Sequence, residues 1–145
     1  MDLAFEIIYN KIDPVSENHP EATKEQLVRT IYNKWRAGKV KILCNDKRRV
    51  VHVVVLHNFK AGVHVYAESQ GPWDIVISHK QFLDWFENQS DIYKLEADTR
   101  YPVLAMVLER TGWTFEGIRT QSSMDEEGNL VDKYLYGRIR EERYE

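Results

Sequence analysis

At 145 residues the chain fits one domain and is long enough to bury a core of its own. Hydrophobic content of 43% and charged content of 30% fit a soluble globular protein, and a net charge of −3 supplies no field for a phosphate backbone, so nucleic-acid binding is not expected. No apolar run approaches the roughly 18 residues of a membrane span, Met1-Asp2-Leu3-Ala4 lacks the features of a signal peptide, and the single Cys44 rules out an intramolecular disulfide.

The expectation from these bounds is a cytoplasmic, single-domain protein, with residues 1–22 as an N-terminal segment and 23–142 as the core. Residues 1–12 carry two patterns. Leu3, Ile7 and Ile8 have helical spacing, while Phe5, Ile7 and Tyr9 alternate as a strand would; helix is the favoured reading. Pro14 to Pro20 is a polar, proline-bounded loop. Thr23-Lys24-Glu25-Gln26 has capping-box form, and Leu27, Ile31 and Trp35 follow as one buried stripe that ends at Gly38. Val40, Ile42 and Cys44 alternate as a strand before an Asn45-Asp46 turn, which makes Cys44 a small buried hydrophobe. Val50 to Leu56 is apolar and β-branched, as a central strand covered on both faces requires. A turn over Asn58 to Gly62 leads into a third strand carrying Val63, Val65 and Ala67, which Gln70-Gly71-Pro72 breaks. Ser78-His79-Lys80-Gln81 repeats the capping-box pattern and predicts a helix with Phe82, Trp85 and Phe86 inward.

The last third, from Tyr93 to Glu142, holds the most specific order. A strand ends in Leu95-Glu96-Ala97-Asp98, and a short helix runs from about Pro102 to Arg110 until Thr111-Gly112-Trp113 stops it. Two strands then flank the turn Asp125-Glu126-Glu127-Gly128-Asn129, the second reading Val131-Asp132-Lys133-Tyr134-Leu135-Tyr136-Gly137-Arg138. The complete order predicts an α/β fold, a mixed and mostly antiparallel sheet of about six strands flanked by helices.

That C-terminal order resembles the GNAT superfamily of N-acetyltransferases, whose members read helix, Gly-Phe or Gly-Trp, a Glu-Gly strand, an acidic turn and an Asp-x-Tyr-x-Tyr strand. The resemblance implies a GNAT-like (acyl-CoA N-acyltransferase) fold, acetyl-CoA as the acyl donor, no metal, and transfer to an amine on a small molecule or a protein. In that fold the fourth and fifth strands splay apart and the pantetheine lies in the gap. Here the pair would be Gly62–Glu68 and Ile92–Asp98, with backbone donors from Val65, Tyr66 and Ala67. The pyrophosphate would rest on Ser69, Gln70, Gly71, Pro72 and Trp73, at a helix N-terminus where unpaired amides and the helix dipole favour an anion. This loop has one glycine where the family has more, and Pro72 removes a donor.

Acyl transfer needs a base for the amine proton and often a tyrosine for the leaving thiolate. Glu68 sits where many members place the base, and Glu96, with Asp98 two residues on, could act through a water; each could equally be a solvated carboxylate at a strand end. The family's helix-initial Asn and its Tyr fall on Pro102 and Leu108. Tyr101 could substitute for the first, or simply pack. Acceptor choice in the family comes from loops that correspond to His19–Thr23 and Met124–Asn129, whose acidity permits a basic acceptor.

The segment Leu95–Pro102 continuing to Leu108–Trp113 also resembles GNAT-like proteins of tailed bacteriophages, in which an acidic strand leads to an arginine, a short helix and Gly-Trp. Arg100 matches that arginine and is counted with the cofactor-binding residues. This likeness implies a phage origin, with the host cytoplasm or the virion as location. It also opens an alternative to catalysis, a module that binds a virion or host protein.

Other groupings suggest less. His52 and His64 are placed to face each other across the hairpin, and with His57 they find no Cys or carboxylate at metal-ligand spacing, which favours a structural role. No Gly-x-Ser-x-Gly elbow or Walker loop occurs. Arg138, Arg140 and Arg143 interleave with Glu141 and Glu142 and read as a solvated, self-paired tail. Trp73, beside the Gly-Pro break, is the tryptophan suited to line a cleft.

Overall fold

The computed structural model describes residues 2–68 and 71–140. Helical spacing wins at the N-terminus: α1 (Asp2–Lys11) buries Ala4, Ile7 and Ile8 along one side. Phe5 turns toward α2 (Lys24–Arg36), where it meets Tyr32 and Trp35 edge-on, with ring centroids 5.5 and 5.6 Å away. Both ends of α2 close as the sequence predicts. Thr23 accepts from the Gln26 amide while the Gln26 side chain accepts from the Thr23 amide. At the other end Gly38 takes a positive φ of 75°, and Gly38 and Lys39 donate back to the carbonyls of Trp35 and Lys34, a Schellman closure.

The six strands are β1 (Val40–Asn45), β2 (Val50–His57), β3 (Lys60–Ala67), β4 (Lys94–Thr99), β5 (Thr114–Met124) and β6 (Leu130–Ile139). They form one sheet in the order β1-β2-β3-β4-β6-β5, antiparallel throughout except for β3 and β4. The remaining helices are α3 (Pro72–Glu87), which carries the chain from β3 to β4, and α4 (Pro102–Arg110), between β4 and β5. The helices α1 and α2 cover one face over β1, β2 and β3, and α3 and α4 cover the other. Strand periodicity divides the core accordingly. Val51, Val53 and Tyr66 join Ile7, Ile8 and Ile12 on the first face, while Val54, Val63 and Leu95 join Phe82, Phe86 and Leu108 on the second. Each such fully buried aliphatic or aromatic side chain contributes about 1.5–3 kcal/mol. Among the described residues no helix is long and apolar enough to cross a membrane.

Four expectations are corrected here. The helix α3 begins at Pro72, six residues before the Ser78 box, because Pro at the first helical position already provides a start. Ser78 lies mid-helix, buried, its Oγ without a hydrogen-bond partner. The β2–β3 turn is confined to Asn58 and Phe59, with Asn58 at a φ of 58°, so Gly62 lies within β3. The hairpin register pairs His52 with Val65 and His64 with Val53. A one-residue offset reverses faces, so His52 is buried and His64 is exposed on the other side. Finally, Arg138 and Arg140 are not a solvated tail: they donate to the carbonyl oxygens of Thr111 (2.7 Å) and Gln89 respectively. Arg143, Glu141 and Glu142 lie outside the described residues.

Candidate functional site

Apart from two register shifts between β5 and β6, the sheet is continuous except at one place. Strands β3 and β4 pair in parallel only through Lys60↔Lys94, Ala61↔Leu95 and Gly62↔Glu96. Beyond that, β3 continues to Ala67 paired with β2 alone, and β4 continues to Thr99 paired with β6 alone. The Glu68 amide donates to the Arg49 carbonyl, 2.9 Å away, which fixes the phase of the ladder. In an antiparallel pair such bonds alternate, so Glu68 and Tyr66 turn their backbones to β2, while Val63, Val65 and Ala67 turn theirs into the wedge between β3 and β4. Of the three expected backbone donors, Val65 and Ala67 therefore face the gap. Tyr66 does not; it sends its side chain to the α1 face instead.

The helix α3 starts beside the end of β3. Its N-cap Gly71 is extended, with φ −176° and ψ 172°, and makes no side-chain cap. A Cβ added there would meet nothing within 4 Å, so the position does not require glycine for backbone strain or for room. Trp73, in the first turn, is 67% exposed. Asp74, also in that turn, is bound by Arg48 from the β1–β2 turn at 2.8 Å, which brings a guanidinium to the same helix end. Ser69 and Gln70 lie outside the described residues.

Carboxylates and cations cover the α1 face beside the gap. Glu68 receives Asn10 Nδ2 at 2.8 Å and Arg49 Nη2 and Nε at 2.8 and 3.1 Å. These bonds, Asn10 first and then Arg49, hold its carboxyl below the usual range. Glu96 is paired with Lys60 at 3.1 Å, and Asp98 lies 3.7 Å from both Arg119 and Lys133. The sequence-expected bases are thus present at this face, each engaged by a cation. Arg100 is at the open end of β4 with its side chain only 9% exposed. Its Nη2 donates to Ser16 Oγ, Tyr101 Oη and Glu126 Oε1 at 3.2, 2.7 and 3.0 Å, and its guanidinium stacks 4.4 Å over the Tyr101 ring. Tyr101 therefore packs on an arginine and not in the core, and Arg100 ties the loop after α1 to the β5–β6 turn. Leu108, at the tyrosine position of the family pattern, is buried and carries no proton to give.

Sequence reasoning missed Glu17. It sits in the Pro14–Pro20 loop, where it accepts a hydrogen bond from the Tyr66 hydroxyl. Burial, then the Glu17 charge, pushes the Tyr66 phenol up. The only signal in the sequence was a carboxylate among turn-forming residues, which is common in any loop. The histidines also form an unforeseen group. Trp113 Nε1 donates to His79 Nε2 at 2.8 Å, and His79 Nδ1 lies 2.9 Å from His52 Nε2. Indole can only donate, so neutral His79 carries its proton on Nδ1 and gives it to His52. Among the described residues no group of three or more His, Cys, Asp or Glu is arranged to hold a metal. Cys44 is half-buried against the α1–α2 core, its thiol pushed up to about 12 by burial and by Asp46. A surface depression lined by Gly112, Thr114, Glu116, Gly137, Arg138 and Ile139 lies at the opposite end of the sheet from the wedge.

An acetyltransferase of Salmonella typhimurium that modifies an N-terminal serine of a 50S ribosomal subunit protein superposes with a TM-score of 0.66 at 17% identity, over 83% of this chain and 77% of that one. A ribosomal α-N-protein acetyltransferase in complex with coenzyme A gives 0.70 at 16% identity, over 96% and 85%. A spermidine N-acetyltransferase chimera involving Vibrio cholerae gives 0.72 at 15% identity, over 95% and 89%. This is the GNAT fold. At such identities the likeness is one of fold, and no family model and no curated protein matches the sequence. Of the strand pair expected to splay, Gly62–Glu68 and Ile92–Asp98, the segment Lys94–Glu96 is paired with Lys60–Gly62, and the parting begins only at Val63 and Ala97.

Proposed function

We propose that the protein binds acetyl-CoA in the wedge between β3 and β4 and transfers the acetyl group to an amine on a small molecule or a protein. The observation that carries this is the parting of the two strands after three paired residues. It leaves the backbone groups of Val63, Val65 and Ala67 facing a space that no described strand fills, and a buried sheet otherwise pairs such groups. The wedge suits an extended, amide-bearing pantetheine, which can complete the ladder. The first turn of α3, with Arg48 close by and Gly71 leaving open space, suits the pyrophosphate. When bound, acetyl-CoA supplies an activated thioester. The chain's own part is to orient it along β3, to hold the acceptor on the α1 face, and to take the amine proton. Glu68 and Glu96 stand on that face beside the wedge, and Arg100 closes its open end.

The test is amine-dependent release of free thiol from acetyl-CoA, measured across primary amines and peptides with free N-termini. Release with at least one amine is expected. Binding of acetyl-CoA without release for any amine would replace the reading with the second one, a GNAT-fold binding module. Two observations favour that alternative: the buried Leu108 where a tyrosine would protonate the thiolate, and Pro102 in place of Asn. A virion or host protein as its partner, and a phage origin, rest on the sequence likeness to phage proteins alone.

A further inference from the structure

The loop after α1 crosses the wedge on the side opposite α3. Asp13 shapes it, its carboxylate accepting from the Val15 amide at 3.1 Å and from Ser16 Oγ at 3.0 Å, while the Glu17 amide donates to the Asp13 carbonyl at 3.0 Å. Two consecutive residues then reach the two sides of the opening. Ser16 is held by Arg100 at the end of β4 and by Lys133 on β6, at 3.2 and 3.4 Å. Glu17 is held by the hydroxyl of Tyr66 on β3. Tyr66 lies beyond Gly62, where β3 is no longer paired with β4, so Glu17 is held from the parted stretch of β3.

The other carboxylates of this face have different partners. Glu68 is bound by Asn10 and by two nitrogens of Arg49. Glu96 is paired with Lys60, and Asp98 lies between Arg119 and Lys133. A guanidinium or ammonium on a carboxylate occupies an oxygen that a general base must offer to the amine, and it repels a cationic acceptor. Glu17 is anchored by a neutral hydroxyl, which orients Oε1 and brings no competing cation to the carboxylate.

We propose that Glu17 is the catalytic base that takes the proton from the acceptor amine, with Tyr66 as the positioning residue that aims it. This rests on the acetyl-transfer reading above. In the step, the amine lone pair attacks the thioester carbonyl carbon and the N–C bond forms. The N–H proton passes to Glu17, the C–S bond breaks with its electron pair leaving on sulfur, and the thiolate takes a proton from solvent. The products are an amide and free CoA, and the Glu17 proton returns to water.

The experiment is the pH–rate profile of thiol release for wild type, Glu17→Gln and Tyr66→Phe with one amine, alongside calorimetric acetyl-CoA affinity. Glutamine keeps an oxygen for the Tyr66 hydroxyl, so the loop stays tethered while the base is lost. Glu17→Gln is expected to reduce kcat about 100-fold or more, to leave acetyl-CoA affinity unchanged, and to remove the carboxylate limb of the profile, leaving that of the amine. Tyr66→Phe is expected to move that limb with a smaller loss. Asp84→Asn, which changes an exposed carboxylate on α3, on the other face of the sheet, leaves turnover unchanged. If wild type turns over and Glu17→Gln stays within threefold of it with the same profile, the assignment of Glu17 is wrong and the transfer reading stands. If wild type binds no acetyl-CoA, the transfer reading fails and takes this assignment with it.

Discussion

Burial of His52 and His79 side by side, stacked on Phe82 and bonded to Trp113, makes the core sensitive to acid. Burial, and then Arg138, lowers His79 to about 4; burial, and then His79, lowers His52 well below its ordinary value. Both are neutral in the fold, whereas the unfolded chain binds protons below about pH 6.5. Unfolding therefore takes up protons as the pH falls, and stability present above pH 6.5 is lost on the way to pH 4. His79 alone accounts for roughly 3 kcal/mol of that loss. Urea midpoints at pH 7 and pH 5 should show the drop, and His79→Gln, which still accepts from Trp113, should flatten it; an unchanged pH slope in that variant would contradict the assignment. None of this was legible beforehand. The sequence shows three histidines near one hairpin, but the partner of His52 is His79 on α3, and their meeting depends on a one-residue register and on how that helix packs above it. Glu17 was hidden for the same kind of reason, since its partner Tyr66 is 49 residues away.

At the scale of elements, two similar capping-box motifs had different fates. Thr23–Gln26 starts a helix because Pro20 and a polar loop precede it and nothing upstream competes. Ser78–Gln81 does not, because Gly71-Pro72 has already started α3, and a serine inside a helix has no free amide to cap. Thermal melts should separate the two: Thr23→Ala costs about 1 kcal/mol, whereas Ser78→Ala, which removes a buried hydroxyl with no partner, should be neutral or stabilising. Equal losses would contradict this. The resemblance located most elements of the last third well, because α4 from Pro102 to Arg110 and the Asp125–Asn129 turn are set by local chemistry. In that turn Asp125 Oδ1 accepts from the amides of Glu127 and Asn129, at 3.0 and 2.9 Å, and Gly128 takes a φ of 83°. The residues on either side were harder. Arg138 and Arg140 read as tail residues from their charge pattern, yet their targets are the carbonyls of Thr111 and Gln89, which only the assembled sheet brings close.

For the whole molecule, the order of elements and the mixed sheet were legible because β1 and β3 alternate, β2 is a β-branched apolar run, and the C-terminal motif is specific. The wedge is a different matter. Strand parting is a property of two segments that stop pairing, and neither Val63–Ala67 nor Ala97–Thr99 has a residue that forbids a ladder; its place came only from the family resemblance. What the wedge does is the central claim, and direct titration tests it. Calorimetry of the purified chain with acetyl-CoA should give saturable heat in the micromolar range. Gly71→Glu puts a carboxylate into open space at the α3 N-terminus without a steric clash. It should weaken binding at least about tenfold through charge repulsion with the pyrophosphate while leaving the melting temperature unchanged. Absence of heat at millimolar acetyl-CoA would contradict the account and leave the wedge as an unpaired edge of a fold put to another use.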